Sequence, residues 1–290
     1  MPQIDPEQII AKYIPVDSPT YPILIEHGRQ VSAKASEIAD LNPDENIDRI
    51  FLHQAAMLHD IGIKDVDSPK NGCKGKLSYV EHGIAGRKIL EKENLPQLAL
   101  VCERHVGLGL DRETITNQSL PLPNRDMTPQ TIEERIICLA DKFFSKGKAD
   151  ERTFQQVVAN QIKHNIGSVS KLVALCLDLN YPITFKQLNF SDKLPDMILS
   201  GKKFTTWRIN DDKNLQTGDL LSMTKNQREE FARAVIYQTG ETTFGELNDD
   251  DLSGHETFTS PAEMYQTYSK YYHMQVGEDT PVKVIKFKLL

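Results

Sequence analysis

The chain has 290 residues, 39% of them hydrophobic and 26% charged, with a formal net charge of -7, which describes a globular chain rather than a disordered one. No apolar run approaches the roughly 20 residues that a membrane-spanning helix needs. Met1-Pro2-Gln3-Ile4-Asp5-Pro6 lacks the basic flank and apolar stretch of a secretory signal, so a cytoplasmic protein without membrane partners is expected.

Taken in chain order, helical periods dominate the first 183 residues. The spacing predicts helices at about Ile23–Ala39, Ile47–Leu58, Val80–Glu93, Leu95–Val106 and Pro129–Lys146, then two more within Glu151–Leu179, separated near Gly167. Ser119–Pro129, with three prolines, reads as an ordered loop. At Asn180-Tyr181-Pro182 the texture changes to short alternating runs rich in Thr, Val, Ile and Phe. Strands are expected at Phe185–Phe190, Phe204–Ile209, Asp219–Met223, Phe231–Tyr237 and Val282–Leu289, with helices at Asp192–Leu199 and Pro261–Tyr272 and a helix C-cap at Gly201. The expected organisation is an all-α domain at 1–183 and a small β-barrel with flanking helices at 184–290, hence a multidomain chain of α and α+β classes. The two parts carry net charges of -4 and -3, so neither is a basic nucleic-acid magnet. The cysteines, Cys73, Cys102, Cys138 and Cys176, are scattered without a C-x-x-C pair, which disfavours a disulfide framework or a thiolate zinc site.

The informative pattern is where polar residues fall on otherwise apolar helix faces. His27 shares a stripe with Val31, Ala35 and Ile38; His82 aligns with Ala85, Gly86 and Ile89; His105 follows Leu98, Val101 and Cys102; Asp141 follows Ile137 and Cys138. His59-Asp60 closes a helix that is apolar almost all round. Each of these alone reads most simply as a core residue with a hydrogen-bond partner. Together they conflict, because neutral imidazoles and two carboxylates supply more acceptors than donors, and burying an unpaired carboxylate is costly. Bound cations remove the conflict. Ligation by nitrogen and oxygen alone points to Fe, Mn, Co, Mg or Zn, with six-coordinate geometry favoured over a closed tetrahedral zinc site. His53 is expected in the core or behind the ligands, and His164 on the surface.

These residues resemble a known family. His27, His59-Asp60-Ile61-Gly62 and Asp141 in Leu139-Ala140-Asp141-Lys142 look like the HD superfamily of metal-dependent phosphohydrolases, in its HDIG branch, over roughly residues 20–150. His82 in Glu81-His82-Gly83 and His105 in Glu103-Arg104-His105 are similar to the members that hold two metals. The resemblance implies one divalent ion on His27, His59, Asp60 and Asp141 and a second on His82 and His105, with Asp60 bridging and central to catalysis. Two such ions acidify a shared water and neutralise phosphate oxygens, so no separate general base is required. Arg29, Lys64 and Arg104 are candidate phosphate clamps. Many relatives carry a basic residue directly after His-Asp-Ile-Gly, whereas here Ile63 stands there and Lys64 follows.

In the second part, Gly201-Lys202-Lys203-Phe204-Thr205-Thr206-Trp207-Arg208 looks like the G-x-K-x-x-T-x-R signature of the ASCH domain, a fold related to the PUA family of RNA-binding barrels. Resemblance to its N4-acetylcytidine hydrolases maps a catalytic lysine, threonine and glutamate onto Lys203, Thr206 and Glu256, with Arg208 as a substrate contact. Lys203 must sit in the turn before the strand to share a face with Thr206. A lysine with its pKa lowered by burial would then deprotonate the threonine. Trp207 is either core or a base-stacking ring. The leading expectation is a phosphohydrolase acting on a nucleotide or related small phosphate ester, joined to a module that handles a modified nucleoside or RNA. The alternatives are a mixed-valent diiron oxygenase on the same six ligands, and an RNA-binding adaptor.

Overall fold

The computed structural model describes residues 4–191, 193–226 and 228–290. Met1–Gln3, where the expectation about a secretory signal begins, and Asp192, the expected first residue of a helix, lie outside the described residues. The chain divides into two compact units, Met1–Phe154 with Lys171–Ile183, and Gln155–Ser170 with Thr184–Leu290. No helix among the described residues is long and apolar enough to cross a membrane.

The first unit is helical. Helix α1 (Pro6–Tyr13) starts on an Asp5 N-cap that accepts from the backbone of Glu7 and Gln8, a start that the periodicity did not reveal. Helices α2 (Thr20–Asp40) and α3 (Arg49–Leu58) follow, and α3 ends in a tight turn at Ile61–Asp65. A two-residue hairpin, β1 (Asp67–Ser68) and β2 (Cys73–Lys74), leads to α4 (His82–Lys92) and α5 (Pro96–Arg104). After α6 (Arg112–Asn117), the proline-rich loop is held by Arg125, whose guanidinium binds the buried Glu103 at 2.7 Å. Helix α7 (Ile132–Ala140) is shorter than the expected Pro129–Lys146, because its Thr131–Glu134 capping box fixes the start and a 3-10 turn over Asp141–Phe143 ends it.

Close packing between these elements depends on missing side chains. A Cβ on Gly62 would lie 2.1 Å from the carbonyl oxygen of His82 and 2.2 Å from the nitrogen of Gly86. A Cβ on Gly83 would lie 2.6 Å from the carbonyl oxygen of Cys102. The glycines therefore let the turn after α3, the start of α4 and the end of α5 touch backbone to backbone.

Helices α8 (Phe154–Asn165) and α9 (Val169–Asp178) are separated by a 3-10 turn at Ile166–Ser168, where Gly167 suggested a break. Most of α8 packs with the second unit: Gln155 donates to Asp219 at 2.9 Å, and Gly218 lies so close that a Cβ would meet the Gln155 oxygen at 2.4 Å.

The second unit is built on a five-stranded sheet in the order β3-β5-β6-β7-β4, formed by β3 (Phe185–Phe190), β4 (Thr205–Arg208), β5 (Leu220–Lys225), β6 (Glu229–Thr243) and β7 (Pro281–Leu289). β3 runs parallel to β5 and the other pairs are antiparallel. Bulges at Met223/Thr224 and Ile236/Gln238 bend the sheet. No ladder closes it into a barrel among the described residues; instead Arg208 on edge strand β4 donates to the Asn189 carbonyl on edge strand β3 at 3.2 Å. Helix α10 (Leu194–Leu199), short α11 (Asp249–Leu252) and α12 (Pro261–Tyr272) flank it. Gly201 adopts φ 74, as a helix C-cap requires.

Trp207 is fully buried and stacks on His255 with ring centroids 3.6 Å apart, so it belongs to the core and is no base platform. The His255 Nδ1–H donates to the Glu256 carbonyl, and its Nε2 accepts from the Tyr268 hydroxyl, both at 3.0 Å, which keeps the ring neutral. Burial, aided by the charge of Lys203, pushes the His255 pKa down to about 3. The ring in an unfolded chain titrates near 6.5. Between these values the unfolded chain takes up a proton that the folded chain refuses, so stability falls as pH drops below about 6.5, by at most about 1.4 kcal/mol per pH unit for one group. Because Trp207 is the single tryptophan, its fluorescence follows this unit alone. Urea midpoints are expected to fall from pH 7 to pH 5 and to flatten in His255→Gln; a pH-independent midpoint in the parent would sink the assignment.

Candidate metal centre

Five helices and the turns at their ends bring six side chains together. α2 presents His27, α3 ends at His59-Asp60, α4 begins with His82, α5 ends at His105 and α7 ends at Asp141. The four histidines and Asp60 are buried, Asp60 completely, and the Asp141 side chain is 16% exposed. Asp60 divides its carboxylate between two groups. Its Oδ2 lies 3.1 Å from Nε2 of both His27 and His59, while its Oδ1 lies 3.2 Å from His82 Nε2 and 3.4 Å from His105 Nε2. Asp141 Oδ1 completes the first group at 3.1 Å from His27 and 3.6 Å from His59. Within His27, His59, Asp60 and Asp141, and again within Asp60, His82 and His105, the ligand atoms all lie within 4.8 Å of one another.

The tautomers follow from the second ring nitrogens. Nδ1 of His59 faces the Ala56 carbonyl at 2.7 Å, that of His82 the Tyr79 carbonyl at 2.6 Å, and that of His105 the Cys102 carbonyl at 2.8 Å. A carbonyl only accepts, so Nδ1 carries the proton and Nε2 points a lone pair inward. His82 and His105 then oppose their Nε2 atoms at 3.1 Å, lone pair to lone pair. His59 Nε2 and both Asp60 oxygens are buried without a well-aligned hydrogen bond. Acceptors converging on acceptors are what divalent cations bind, and backbone-anchored imidazoles are the usual support of metal ligands. The residues therefore fit two ions.

The local charges agree. Burial alone would raise both aspartates, yet the Lys146 ammonium holds Asp60, and the Lys142 ammonium holds Asp141, well below the usual carboxylate range. Burial pushes the His105 pKa down to about 4 against the pull of Asp60.

The structure gives each candidate phosphate-clamp residue a carboxylate partner. Arg29 lies about 200° round α2 from His27 and pairs with Glu7 at 2.6 Å. Lys64 turns to its neighbour Asp65 at 2.6 Å. Arg104 binds Glu134 at 2.8 Å, neutralising a buried carboxylate that also caps α7. His53 is exposed, held at 2.8 Å by Ser32, rather than core; His164 is exposed as expected. Cys73 is buried against Thr20 and Asn71.

The cations at the centre are instead two lysines that sequence reasoning passed over. Lys142 Nζ lies 2.9 Å from Asp141 Oδ2, and Lys146 Nζ lies 2.5 Å from Asp60 Oδ2 and 2.9 Å from the Tyr79 hydroxyl. The Tyr79 ring in turn packs 5.0 Å from that of His82. The strap carrying Lys146 is pinned by Arg152, which donates to the carbonyls of Lys142 and Phe144, and by Gln30, which donates to those of Lys148 and Ala149. The signal was a lysine one and five residues beyond Asp141, readable only once the helix is known to stop at Ala140.

In the second unit, Lys203 is 1% exposed and sits in the turn before β4, as its expected role demands. Its ammonium donates to the Thr205 carbonyl at 2.8 Å and to Glu256. Burial lowers its pKa despite Glu256, while the charge and hydrogen bond of Lys203 hold Glu256 low against burial. Thr206, Glu256 and Arg208 line one cavity of about 250 Å³.

Residues 24–145 match the family model described as the HD domain. A Picrophilus torridus protein named tRNA (cytidine(56)-2'-O)-methyltransferase is 34% identical over 146 residues, 47% of this chain and 38% of that relative, so the chain spans under half of the relative's length. The HD domain of the L. monocytogenes phosphodiesterase PgpH in complex with cyclic-di-AMP is similar at 17% identity and a TM-score of 0.38, over 63% of this chain and 91% of that one. An ASCH domain from Lactobacillus crispatus is similar at 18% identity and a TM-score of 0.33, over 47% and 92%.

Metal binding to the folded state alone adds to stability, by about 2.7 kcal/mol at 100-fold above Kd. Mn²⁺ is expected to raise the thermal midpoint of the chelator-treated protein, with two ions per chain by elemental analysis. His82→Ala should retain about one and Asp60→Ala fewer still; two ions retained by Asp60→Ala would remove it as the shared ligand.

Proposed function

We propose that the HD domain is a metal-dependent phosphohydrolase acting on a nucleotide or related phosphate ester, and that the second unit is an ASCH-like module that deacylates a modified nucleoside. The observation that carries the first part is the Asp60 carboxylate, split between two sets of inward imidazole lone pairs. Bound divalent ions supply a water acidified toward neutral pH and neutralise phosphate oxygens.

The chain's own residues do the rest. Backbone carbonyls fix three ligand rings, so little reorganisation is left for the reaction. Lys146, its side chain 11% exposed and oriented by Tyr79, places a cation beside the ligands, where an anionic substrate would meet it. Lys142 stays with Asp141 and keeps that ligand ionised.

With Mn²⁺ and a panel of nucleoside monophosphates, cyclic dinucleotides and a generic aryl phosphate, wild type is expected to release phosphate and Asp60→Ala to lose activity. Lys146→Met should keep its metal and fall by about 10²-fold, the usual effect of removing one donor to the transition state. A metal-loaded protein inactive on the whole panel would end the hydrolase reading. If that protein held iron with a mixed-valence spin resonance signal responsive to substrate, oxygenase chemistry would replace it.

For the second unit, the supporting observation is the buried Lys203 paired with Glu256, a carboxylate that lines one cavity together with Thr206. In this reading the Lys203 amine takes the Thr206 hydroxyl proton as the threonine oxygen bonds to the amide carbonyl carbon, the C–N bond breaks with that proton passing to the leaving amine, and water then hydrolyses the threonine ester to the carboxylic acid and free Thr206. Lys203→Ala is expected to abolish acetate release from N4-acetylcytidine with phosphatase activity intact. Undiminished acetate release would exclude Lys203.

A further inference from the structure

Arg208 is set apart from the other partly buried cations of the second unit. Lys186 pairs with Asp219, Lys203 with Glu256, Lys283 with Asp211 and Lys286 with Asp250. No carboxylate pairs with Arg208 among the described residues. Its Nη2 donates to a backbone carbonyl, its guanidinium lies 5.3 Å from the Phe190 ring centroid, and its Nε is buried without a hydrogen-bond partner. The guanidinium is thus a fixed cation that no carboxylate among the described residues neutralises, on the wall of the cavities it lines, which suits it to an anion there.

Its surroundings define the anion. Arg208 lines two adjoining cavities, of about 250 and 410 Å³, which share Asn189, Arg208 and Tyr272 as a common wall. The smaller one holds Thr206 and Glu256 and is walled by Tyr268, Tyr271 and Tyr272, a set of rings suited to a planar base. The larger one continues past the guanidinium toward Asn210, Asp212 and Lys213, with room for a sugar and one phosphate. Asp212 is exposed on that rim, so a second phosphate farther along would face a carboxylate. The arrangement favours a ligand that ends in one phosphate over a continuing polyanion.

We propose that Arg208 receives the phosphate of a mononucleotide, so that the second unit takes a phosphorylated nucleoside with its base against the tyrosine wall. This rests on the reading that the cavity of Thr206 and Glu256 is a nucleoside site. It adds the preferred state of the substrate: a mononucleotide is taken ahead of the free nucleoside and ahead of a strand.

The test uses the full chain carrying Asp60→Ala in the presence of a chelator, so that no metal in the HD domain holds phosphate. Calorimetric titrations with cytidine, cytidine 5′-monophosphate and tricytidylate without terminal phosphates are compared. The monophosphate is expected to bind at least about tenfold more tightly than cytidine and more tightly than the trimer. Arg208→Gln should bring the ratio of monophosphate to cytidine near one, the monophosphate losing far more affinity than cytidine, and Arg208→Lys should keep part of the preference. Cytidine binding with no gain from phosphate overturns the proposal alone, and binding of neither overturns it together with the nucleoside reading. Equal loss of both ligands in Arg208→Gln, with its thermal midpoint unchanged, or tighter binding of the trimer, also overturns it.

Discussion

The constraint on which the first unit depends is electrostatic and local. One carboxylate, Asp60, is completely buried and ringed by four imidazole Nε2 atoms, three of them with lone pairs turned inward. Nothing in an apolar helical interior tolerates that arrangement unless positive charge is supplied. The helices are placed accordingly: three ligand rings are tied by Nδ1 to carbonyls three residues earlier, so the ends of α3, α4 and α5 aim their histidines inward as a property of helix geometry.

Bringing those helix ends so close is the work of absent atoms. Gly62, Gly83 and Gly86 stand where backbone meets backbone, and two of them flank ligands directly in sequence or one turn away. This explains why His-Asp is followed by Ile-Gly: the glycine is the contact that sets the turn after Asp60 against the helix bearing His82.

Much of this was legible in the sequence because helix periodicity fixes which residues face inward. His27, His59, Asp60, His82, His105 and Asp141 were found by that means, with five strands of the second unit located within a few residues, apart from a β6 that runs on to Thr243. The cationic partners were not legible. Sequence proximity nominated Arg29, Lys64 and Arg104, but each serves a nearer carboxylate, and short-range ion pairs are invisible to periodicity. Lys142 and Lys146 became visible only through the 3-10 turn that ends α7. Likewise α1 and the β1–β2 hairpin are too short for a periodic signal, and Arg208 bridging the two edge strands replaces the ladder that a barrel would have had.

The strap beyond α7 has a mechanical consequence. Asp141 and Lys146 ride on one stretch of six residues, and the guanidinium of Arg152 fastens that stretch by clasping its own backbone rather than a distant helix. A carboxylate and an ammonium are thus geared together. Any disturbance that loosens the clasp withdraws an anion and a cation from the centre in the same motion, so the strap exchanges geometry while leaving the local charge almost untouched.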